Sequence, residues 1–441
     1  MSPSTFAADD QRDSIDDLRR FLDCSPSPWH AVDTATAMLV DAGFHAVDGS
    51  SEFPLPRCGY VVRGGALIAF AQPDSSEPAN AFRIVGAHTD SPGLRVKPQP
   101  DTGSFGWRQL GVEIYGGVLL NSWLDRDLGL AGNLVVDDRN GTRLVRVNVD
   151  RPICRVPQLA IHLDRAVNET GLILDKQTQM TPVWGTGQAL DGAFGQWIAQ
   201  EAGIERGLVR SWDLCLYDVT PAAVLGADRT LLASGRLDNL LSCWAAISAL
   251  IEASSTPGNA TQVVALFDHE EVGSASTTGA AGPILEHVLE RLVLSRGGGR
   301  IELLNALQRS LCVSADNAHA VHPNYSERHE PGHRPLVNHG PAVKVNVNQR
   351  YATDASGAAE VQRNLDAAGV PWQTFVSRNS MPCGSTIGPI TATRLGIDTV
   401  DIGVAQLSMH SARELCGTAD PLYLVAGLCA VLTQRDRDAP R

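Results

Sequence analysis

The 441-residue sequence has no apolar run approaching the ~20 residues that a membrane-spanning helix needs. Residues 1–12 are polar and acidic, and they lack the apolar core of a secretory signal peptide. The nine cysteines are scattered, odd in number and never spaced as Cys-x-x-Cys, which favours reduced thiols over a disulfide framework or a thiolate zinc site. We therefore expect a cytoplasmic protein with no membrane partner.

Basic residues are outnumbered by acidic ones. The 36 Lys and Arg residues and 49 Asp and Glu residues give a net charge of -13, which argues against a nucleic-acid partner. An apolar content of 43% with 19% charged residues is ordinary for a globular protein. The length allows two domains and a sizeable core.

Motifs for nucleophilic catalysis and nucleotide binding are absent too. The sequence has no Gly-x-Ser-x-Gly elbow, no Walker loop and no Gly-x-Gly-x-x-Gly after a strand. Residues 383–386 (Cys-Gly-Ser-Thr) could hold a nucleophile, but nothing in the sequence marks a partner base. A tight turn that lines a pocket is the better interpretation of this run.

Helical and strand-like patterns alternate over much of the chain. The early predictions are helices over 15–22 and from Ser27-Pro28 to Gly43, and strands over 60–71 and 81–87. From about residue 238 onward, strand-like runs alternate with helical stretches at 240–253, 283–294, 355–368 and 420–432. This alternation of strands and helices predicts an α/β fold with a helix-covered mixed sheet. Such sheets bind ligands beyond the carboxyl ends of their strands.

The segment from about 95 to 232 has a different character. Its β-rich pieces are short, and Gly and Pro interrupt them often. Metal-ligand candidates lie on both sides of this segment, and none of the strongest lies inside it. We therefore predict a catalytic domain built from residues 1–94 and 233–441, with an inserted β-rich domain at 95–232.

Metal-capable side chains follow apolar, strand-like runs at several places. A dinuclear hydrolytic site needs two cations ~3.5–4 Å apart, a bridging carboxylate, further N/O ligands and a base for the water. The candidates are His88 and Asp90 after 82–87, Asp238 at a turn that opens a helix, Glu270 and Glu271 after 263–267, Asp316 after 311–315, and His410 beyond 400–404. The two adjacent glutamates can point different ways, one to metal and one to water. A two-metal hydrolase is the leading interpretation.

Each of these residues also has a structural interpretation. Asp238 alone could be a helix cap, adjacent glutamates usually form a solvated face, and His410 alone could be a core histidine. Five histidines look like a metal tract, but their spacing matches no zinc finger, and a loop near the site is favoured for most of them: His319, His322, His329, His333 and His339.

Several longer blocks, in order between about residues 15 and 430, point to a family. They are 86–92 (Gly-Ala-His-Thr-Asp-Ser-Pro), 160–163 (Ala-Ile-His-Leu), 236–239 (Arg-Leu-Asp-Asn), 270–274 (Glu-Glu-Val-Gly-Ser), 314–325, 383–390 and 409–414. Together they resemble the aspartyl aminopeptidases, zinc metallopeptidases that remove acidic N-terminal residues.

The resemblance implies two divalent metal ions bridged by one carboxylate. The matching ligands are His88, Asp238 and Asp316 for one metal, and Asp238, Glu271 and His410 for the other. Asp90 would orient His88, and Glu270 would be the general base. The N/O ligand set admits Zn²⁺, Co²⁺ or Mn²⁺, with Zn²⁺ expected first.

The resemblance also implies a substrate pocket and an assembly. Positions matching His319, Lys344 and Tyr351 surround the substrate in the family, and a cation at Lys344 suits an acidic side chain. The histidine matching His162 reaches into the active site of a neighbouring subunit, where an N–H donor can stabilise an oxyanion. The inserted domain would be the dimerisation domain of a homo-oligomer, commonly a tetrahedral dodecamer.

The function expected on these grounds is removal of N-terminal Asp or Glu from peptides by a metal-activated water. Two alternatives remain. One is another dinuclear amidohydrolase, such as a carboxypeptidase or deacylase. Such enzymes would share the arrangement of metal ligands, but they lack the sequence blocks found here at 160–163 and 316–322. A non-catalytic oligomeric scaffold would have little reason to retain Glu270 and every metal ligand.

Overall fold

The computed structural model describes residues 8–48, 53–256 and 258–434. Part of the polar N-terminus, residues 1–7, therefore lies outside the described residues. The helices are α1 (Ala8–Cys24), α2 (Pro28–Asp41), α3 (Val167–Thr170), α4 (Ala193–Glu201), α5 (Leu237–Ser254), α6 (Ile284–Leu294), α7 (Arg300–Gln308), α8 (Ala355–Ala367), α9 (Ile387–Leu395) and α10 (Asp420–Leu432). In the part of the chain that the structure describes, no helix is long and apolar enough to cross a membrane.

The strands fall into three sheets. In chain order they are β1 (His45–Ala46), β2 (Cys58–Arg63), β3 (Ala66–Ala71), β4 (Phe82–His88), β5 (Gly93–Ser104), β6 (Trp107–Tyr115), β7 (Leu128–Asp138), β8 (Gly141–Cys154), β9 (Val183–Thr186), β10 (Val209–Asp218), β11 (Ala223–Leu225), β12 (Leu231–Ser234), β13 (Thr261–Phe267), β14 (Leu311–Ala315), β15 (Ala318–His319), β16 (Ala342–Val345), β17 (Gln373–Val376), β18 (Asp398–Gly403), β19 (Ala405–Leu407) and β20 (Glu414–Gly417).

The largest sheet has nine strands in the order β1-β2-β3-β13-β4-β14-β18-β16-β17. Its central strands β13, β4, β14 and β18 are parallel, whereas β3 and β16 join them antiparallel. Successive β4 side chains enter two different cores, with Val85 facing the one that contains α5 and α10 and Ile84 facing the one that contains α6 and α7. The predicted helix-covered mixed sheet is confirmed.

Residues 93–218 carry a second, wholly antiparallel sheet, in the order β8-β7-β10-β5-β6-β9. It has its own core, which includes Leu94, Leu110, Leu130 and Phe194 of α4. Strands β11 and β12 lie outside this sheet and belong to a third, in the order β11-β12-β20-β19-β15. The six-stranded sheet therefore lies within the segment predicted to be β-rich, except for Gly93 and Leu94 at the start of β5.

The early helix predictions and the strand predicted over 81–87 agree with the structure. Ser27 caps α2 by accepting from the His30 backbone N–H, Pro28 occupies the first turn, and the helix ends just before Gly43, whose φ is 83°. The single strand predicted over 60–71 is instead a hairpin of two strands, β2 and β3, because the chain turns at residues 64–65, where Gly64 has a φ of 58°. Because β4, β13 and β14 are parallel neighbours, their carboxyl ends lie at one edge of the main sheet.

Candidate active site

The candidate ligands meet at this carboxyl edge. His88 is the last residue of β4 and pairs in register with Phe267, the last residue of β13. The turn Glu270–Val272 follows β13, and Asp316 follows β14 directly. Parallel pairing thus brings together side chains that lie far apart in the sequence.

Asp238 lies at the centre of the cluster. Its Oδ1 is 3.4 Å from Nε2 of His88, and its Oδ2 is 3.5 Å from Nε2 of His410. Asp316 Oδ1 lies 3.7 Å from the same His88 nitrogen, and Glu271 Oε2 lies 3.4 Å from the same His410 nitrogen. Each oxygen of Asp238 therefore faces one imidazole, and each imidazole also faces one further carboxylate.

Both imidazoles are held through Nδ1, so that Nε2 points towards Asp238. His88 Nδ1 lies 2.9 Å from the backbone carbonyl of Asp90 and 3.5 Å from its Oδ1. His410 Nδ1 lies 2.9 Å from the backbone carbonyl of Gly117. Metal-binding histidines are commonly fixed by such contacts at the nitrogen that does not bind the metal.

The cluster fits divalent cations. Tetrahedral zinc bonds of ~2.0–2.1 Å place neighbouring ligand atoms roughly 3.3 Å apart, close to the separations around Asp238. Ligand atoms of His88, Asp238 and Glu271 all lie within 4.8 Å of one another. Among the described residues, the buried oxygens Asp238 Oδ1 and Glu271 Oε1 have no hydrogen-bond donor. Buried carboxylates without donors are stabilised by a bound cation.

Glu270 and Glu271 differ in what surrounds them. Burial, reinforced by the Asp238 carboxylate and opposed by His410, raises the pKa of Glu271 well above its ordinary value. Burial also raises the pKa of Glu270, to about 7, with the Asp316 and Asp238 carboxylates adding to the effect and His88 opposing it. A bound cation would lower both values. Glu270 faces the cavity but makes no ion pair to either imidazole among the described residues.

A cavity of about 380 Å³ opens over the cluster. Its wall includes the predicted substrate residues His319, Lys344 and Tyr351. Lys344 is only 1% exposed, and its Nζ donates to the Asn317 carbonyl at 3.2 Å and lies 3.7 Å from Asp316 Oδ2. The His319 side chain is exposed at the cavity, yet desolvation by the surrounding cavity wall and the nearby Lys344 lower the pKa of His319, which favours the neutral imidazole.

Residues 384–386 also line the cavity, as predicted, but they form an irregular segment instead of the predicted tight turn. The Ser385 hydroxyl donates to the Arg350 carbonyl, and no base contacts it among the described residues. Of the five clustered histidines, His319 lines the cavity, whereas the others belong to the loop that follows β15; His322 and His329, for example, contact each other.

His162 lies away from the cavity of its own chain. It belongs to a turn over 160–163 whose side chains are exposed. Exposed apolar side chains flank it: Leu159 at 59%, Ile161 at 46% and Leu163 at 75%. The structure of one chain thus brings together all the predicted site residues except this histidine.

Comparison with known proteins shows the family of this chain. The model of the aminopeptidase I zinc metalloprotease (M18) family matches residues 21–429. The chain belongs to the M18 aminopeptidases. A probable M18 family aminopeptidase 2 from Streptomyces coelicolor is 55% identical over 435 residues, covering 98% of this chain and 99% of the relative. Its counterpart from Mycobacterium tuberculosis H37Rv is 47% identical over 423 residues, covering 94% and 97%.

Solved structures of M18 proteins share the fold. The cryo-EM structure of the Ape4 and Nbr1 complex superposes with a TM-score of 0.92 at 35% identity, covering 96% of this chain and 86% of that one. The S. cerevisiae mApe1 dodecamer gives a TM-score of 0.82 at 27% identity, covering 95% and 96%. The protein is a metallo-aminopeptidase of a zinc-dependent family, which sets aside the carboxypeptidase and deacylase alternatives.

Glu414 is one part of this candidate site that the sequence patterns did not predict. Its buried carboxylate accepts the backbone N–H of Asp238 at 2.9 Å and that of His410 at 2.8 Å. It therefore ties together two segments that each carry a candidate ligand. Its place at the end of the 409–414 block was the only signal in the sequence.

Proposed function

We propose that this M18 aminopeptidase removes N-terminal Asp or Glu from peptides, using water activated at a centre of two divalent metal ions. The arrangement around Asp238 carries the proposal. Its two oxygens face two imidazoles, and each imidazole also faces a further carboxylate, Asp316 at His88 and Glu271 at His410. A bridging carboxylate lowers the repulsion between two closely spaced cations.

The chain's own residues would handle the proton. Two bound divalent cations, Zn²⁺ first, would polarise the scissile carbonyl and lower the pKa of the attacking water. Glu270 would take a proton from that water as its oxygen bonds to the carbonyl carbon, and would pass the proton to the departing amine as the C–N bond breaks. Glu271 would remain a ligand because its Oε2 already faces His410 at 3.4 Å.

Lys344 supports the choice of an acidic residue. In the wall of the cavity, this buried ammonium lies beside the neutral His319. Its Nζ is 4.9 Å from the centroid of the Tyr351 ring. If Asp316 binds metal, its charge is shared with a cation, and Lys344 is left to attract a substrate carboxylate. Charge-assisted hydrogen bonds of this kind are among the stronger ones in proteins.

His162 and the oligomer belong to the same proposal. The exposed apolar side chains around His162 favour burial against a second copy of the chain, since such patches commonly mark protein interfaces. We propose a dimer built through residues 95–232 that lends His162 to the neighbouring site, and further assembly into a dodecamer. Nine free thiols support a reducing, cytoplasmic setting.

A substrate panel tests the proposed function. Aminoacyl chromogenic substrates with Asp, Glu, Ala, Leu and Lys would be compared on purified protein, on protein stripped of metal, and after Zn²⁺, Co²⁺ or Mn²⁺ is restored. We expect hydrolysis of Asp and Glu substrates that disappears with the metal and returns with it. Faster hydrolysis of Leu or Ala, or full activity without metal, would contradict the proposal.

A further inference from the structure

The end of β6 reaches from the six-stranded sheet into the metal cluster. The Tyr115 hydroxyl donates to Asp90 Oδ2 at 2.7 Å, and two residues later the Gly117 carbonyl lies 2.9 Å from Nδ1 of His410. Between them, Gly116 has a φ of 72°, and a Cβ there would lie 3.1 Å from Cβ of Glu271. The backbone at Gly116 can pass this close to Glu271 only because glycine has no side chain.

We propose that Tyr115 is a positioning residue for the metal centre, acting through Asp90, so that the six-stranded sheet sets the geometry of a site whose ligands all come from elsewhere. This inference rests on the proposed two-metal centre. It adds Tyr115, which is not a ligand, and it makes the geometry of the metal site depend on the six-stranded sheet.

Asp90 is the point through which Tyr115 would act. Its carboxylate is fully buried, with Oδ1 accepting the Glu270 N–H at 3.0 Å and Oδ2 accepting the Glu271 N–H at 3.1 Å. Asp90 thereby holds the backbone of both the proposed base and a proposed ligand, and it also contacts His88. Without the Tyr115 hydroxyl, Oδ2 would keep one donor, and a buried carboxylate short of donors can rotate away from its partners.

Tyr115 is itself well fixed. The Arg95 guanidinium lies 4.2 Å from the centroid of its ring and 5.5 Å from that of Trp29. Burial and the Asp90 carboxylate raise the pKa of Tyr115 far above its ordinary value, so the hydroxyl stays protonated and able to donate. A fixed donor on a packed ring is suited to orienting a carboxylate.

Zinc affinity tests the proposal without any substrate. Metal-free wild type, Tyr115→Phe and Tyr217→Phe would be titrated with Zn²⁺ against a chromophoric chelator, and the Co²⁺ absorption spectrum of each recorded. Tyr217 is the matched control, because it lies on the same sheet, has Arg236 over its ring and donates to Asn148 instead of Asp90. We expect Tyr115→Phe to weaken Zn²⁺ binding by about 10- to 100-fold and to alter the Co²⁺ spectrum, with Tyr217→Phe unchanged.

A double-mutant cycle with Asp90→Asn separates positioning from general destabilisation. If Tyr115 acts through Asp90, Tyr115→Phe should have little further effect on Zn²⁺ affinity in the Asp90→Asn background. Unchanged affinity and spectrum in Tyr115→Phe, or equal losses in both backgrounds, would overturn the inference. A wild-type protein that binds no Zn²⁺ would overturn the metal centre, and the inference with it.

Discussion

The backbone N–H of Glu270 donates to Oδ1 of Asp90 at 3.0 Å, which anchors the proposed base to a residue that also contacts His88. The base is therefore positioned by its main chain, and its side chain is left to face the cavity. This arrangement separates the roles of two adjacent glutamates, because Glu271 turns its carboxylate towards His410.

Glu270→Gln should keep the metal and lose turnover. The amide has the same size but cannot accept a proton from water, and a general base typically contributes 10²–10⁴-fold. We expect kcat on an Asp substrate to fall by about that range, with metal content measured by atomic emission near that of wild type. Glu271→Gln is the comparison and should lose metal. Fast turnover in Glu270→Gln with metal retained in Glu271→Gln would reverse the two assignments.

Asp238→Asn should lose both metals and activity together. Each carboxylate oxygen faces a different imidazole, and the neutral amide removes the negative charge that would lie between the two cations, so both sets of ligands should bind metal more weakly. Metal stoichiometry and activity would be measured on the same sample, with exposed Asp228→Asn as the control. Full activity in Asp238→Asn, at less than one bound ion per chain, would rule out the bridged centre.

Lys344→Met should reduce the preference for acidic residues. A charge-assisted hydrogen bond contributes roughly 1.5–3 kcal/mol, so the ratio of kcat/KM for Asp over Ala substrates should fall by about 10- to 150-fold. Lys344 also lies 3.7 Å from Asp316, so metal content must be checked in the variant. Lys97→Met, in the six-stranded sheet, is the control. Equal losses on both substrates would assign Lys344 a structural role.

Subunit mixing tests His162. His162→Ala and Glu270→Gln should each be nearly inactive alone. Mixed under conditions that exchange subunits, they should recover part of the activity, because some sites would then combine an intact Glu270 with an intact His162 from the neighbour. Proven exchange without recovery, or a fully active monomer, would show that one chain forms a complete site.

His30 should make stability depend on pH. Burial, with a contribution from Arg146, lowers the pKa of His30 to about 4, so the folded chain holds it neutral where an unfolded chain would protonate it. Its stabilising contribution is complete above pH ~6.5 and is lost as the pH falls from there towards 4. The Tm of metal-free protein should therefore fall less steeply over this range in His30→Gln than in wild type. Exposed His45→Gln is the control, and an unchanged slope in His30→Gln would contradict the assignment.

The sequence predicted those site residues that lie at the carboxyl ends of neighbouring parallel strands. Apolar runs ending in His88, Asp316 and the Glu270–Glu271 pair indicated that these side chains share one edge of a sheet, and the parallel pairing of β4, β13 and β14 brings them there. Local signals were sufficient for such elements, as they were for the capped start of α2.

Contacts between distant segments could not be predicted in this way. Asp90 was expected to orient His88, yet its backbone carbonyl makes the shorter contact while its carboxylate holds the two glutamate N–H groups. The carbonyl that fixes His410 belongs to Gly117, which is 293 residues away. No periodicity or motif marks a backbone carbonyl as a partner, because any residue carries one.

The candidate ligands are spread from His88 to His410, and the last of them packs against Glu414 on β20. A site gathered from such distant segments exists only in the native state, so metal binding at the proposed centre would contribute directly to the folding free energy. During synthesis a growing chain cannot close this site until nearly all of it has been made. A chain cut short before His410 would lack one proposed ligand and the Glu414 carboxylate that holds its backbone, so it would not form the complete two-metal centre.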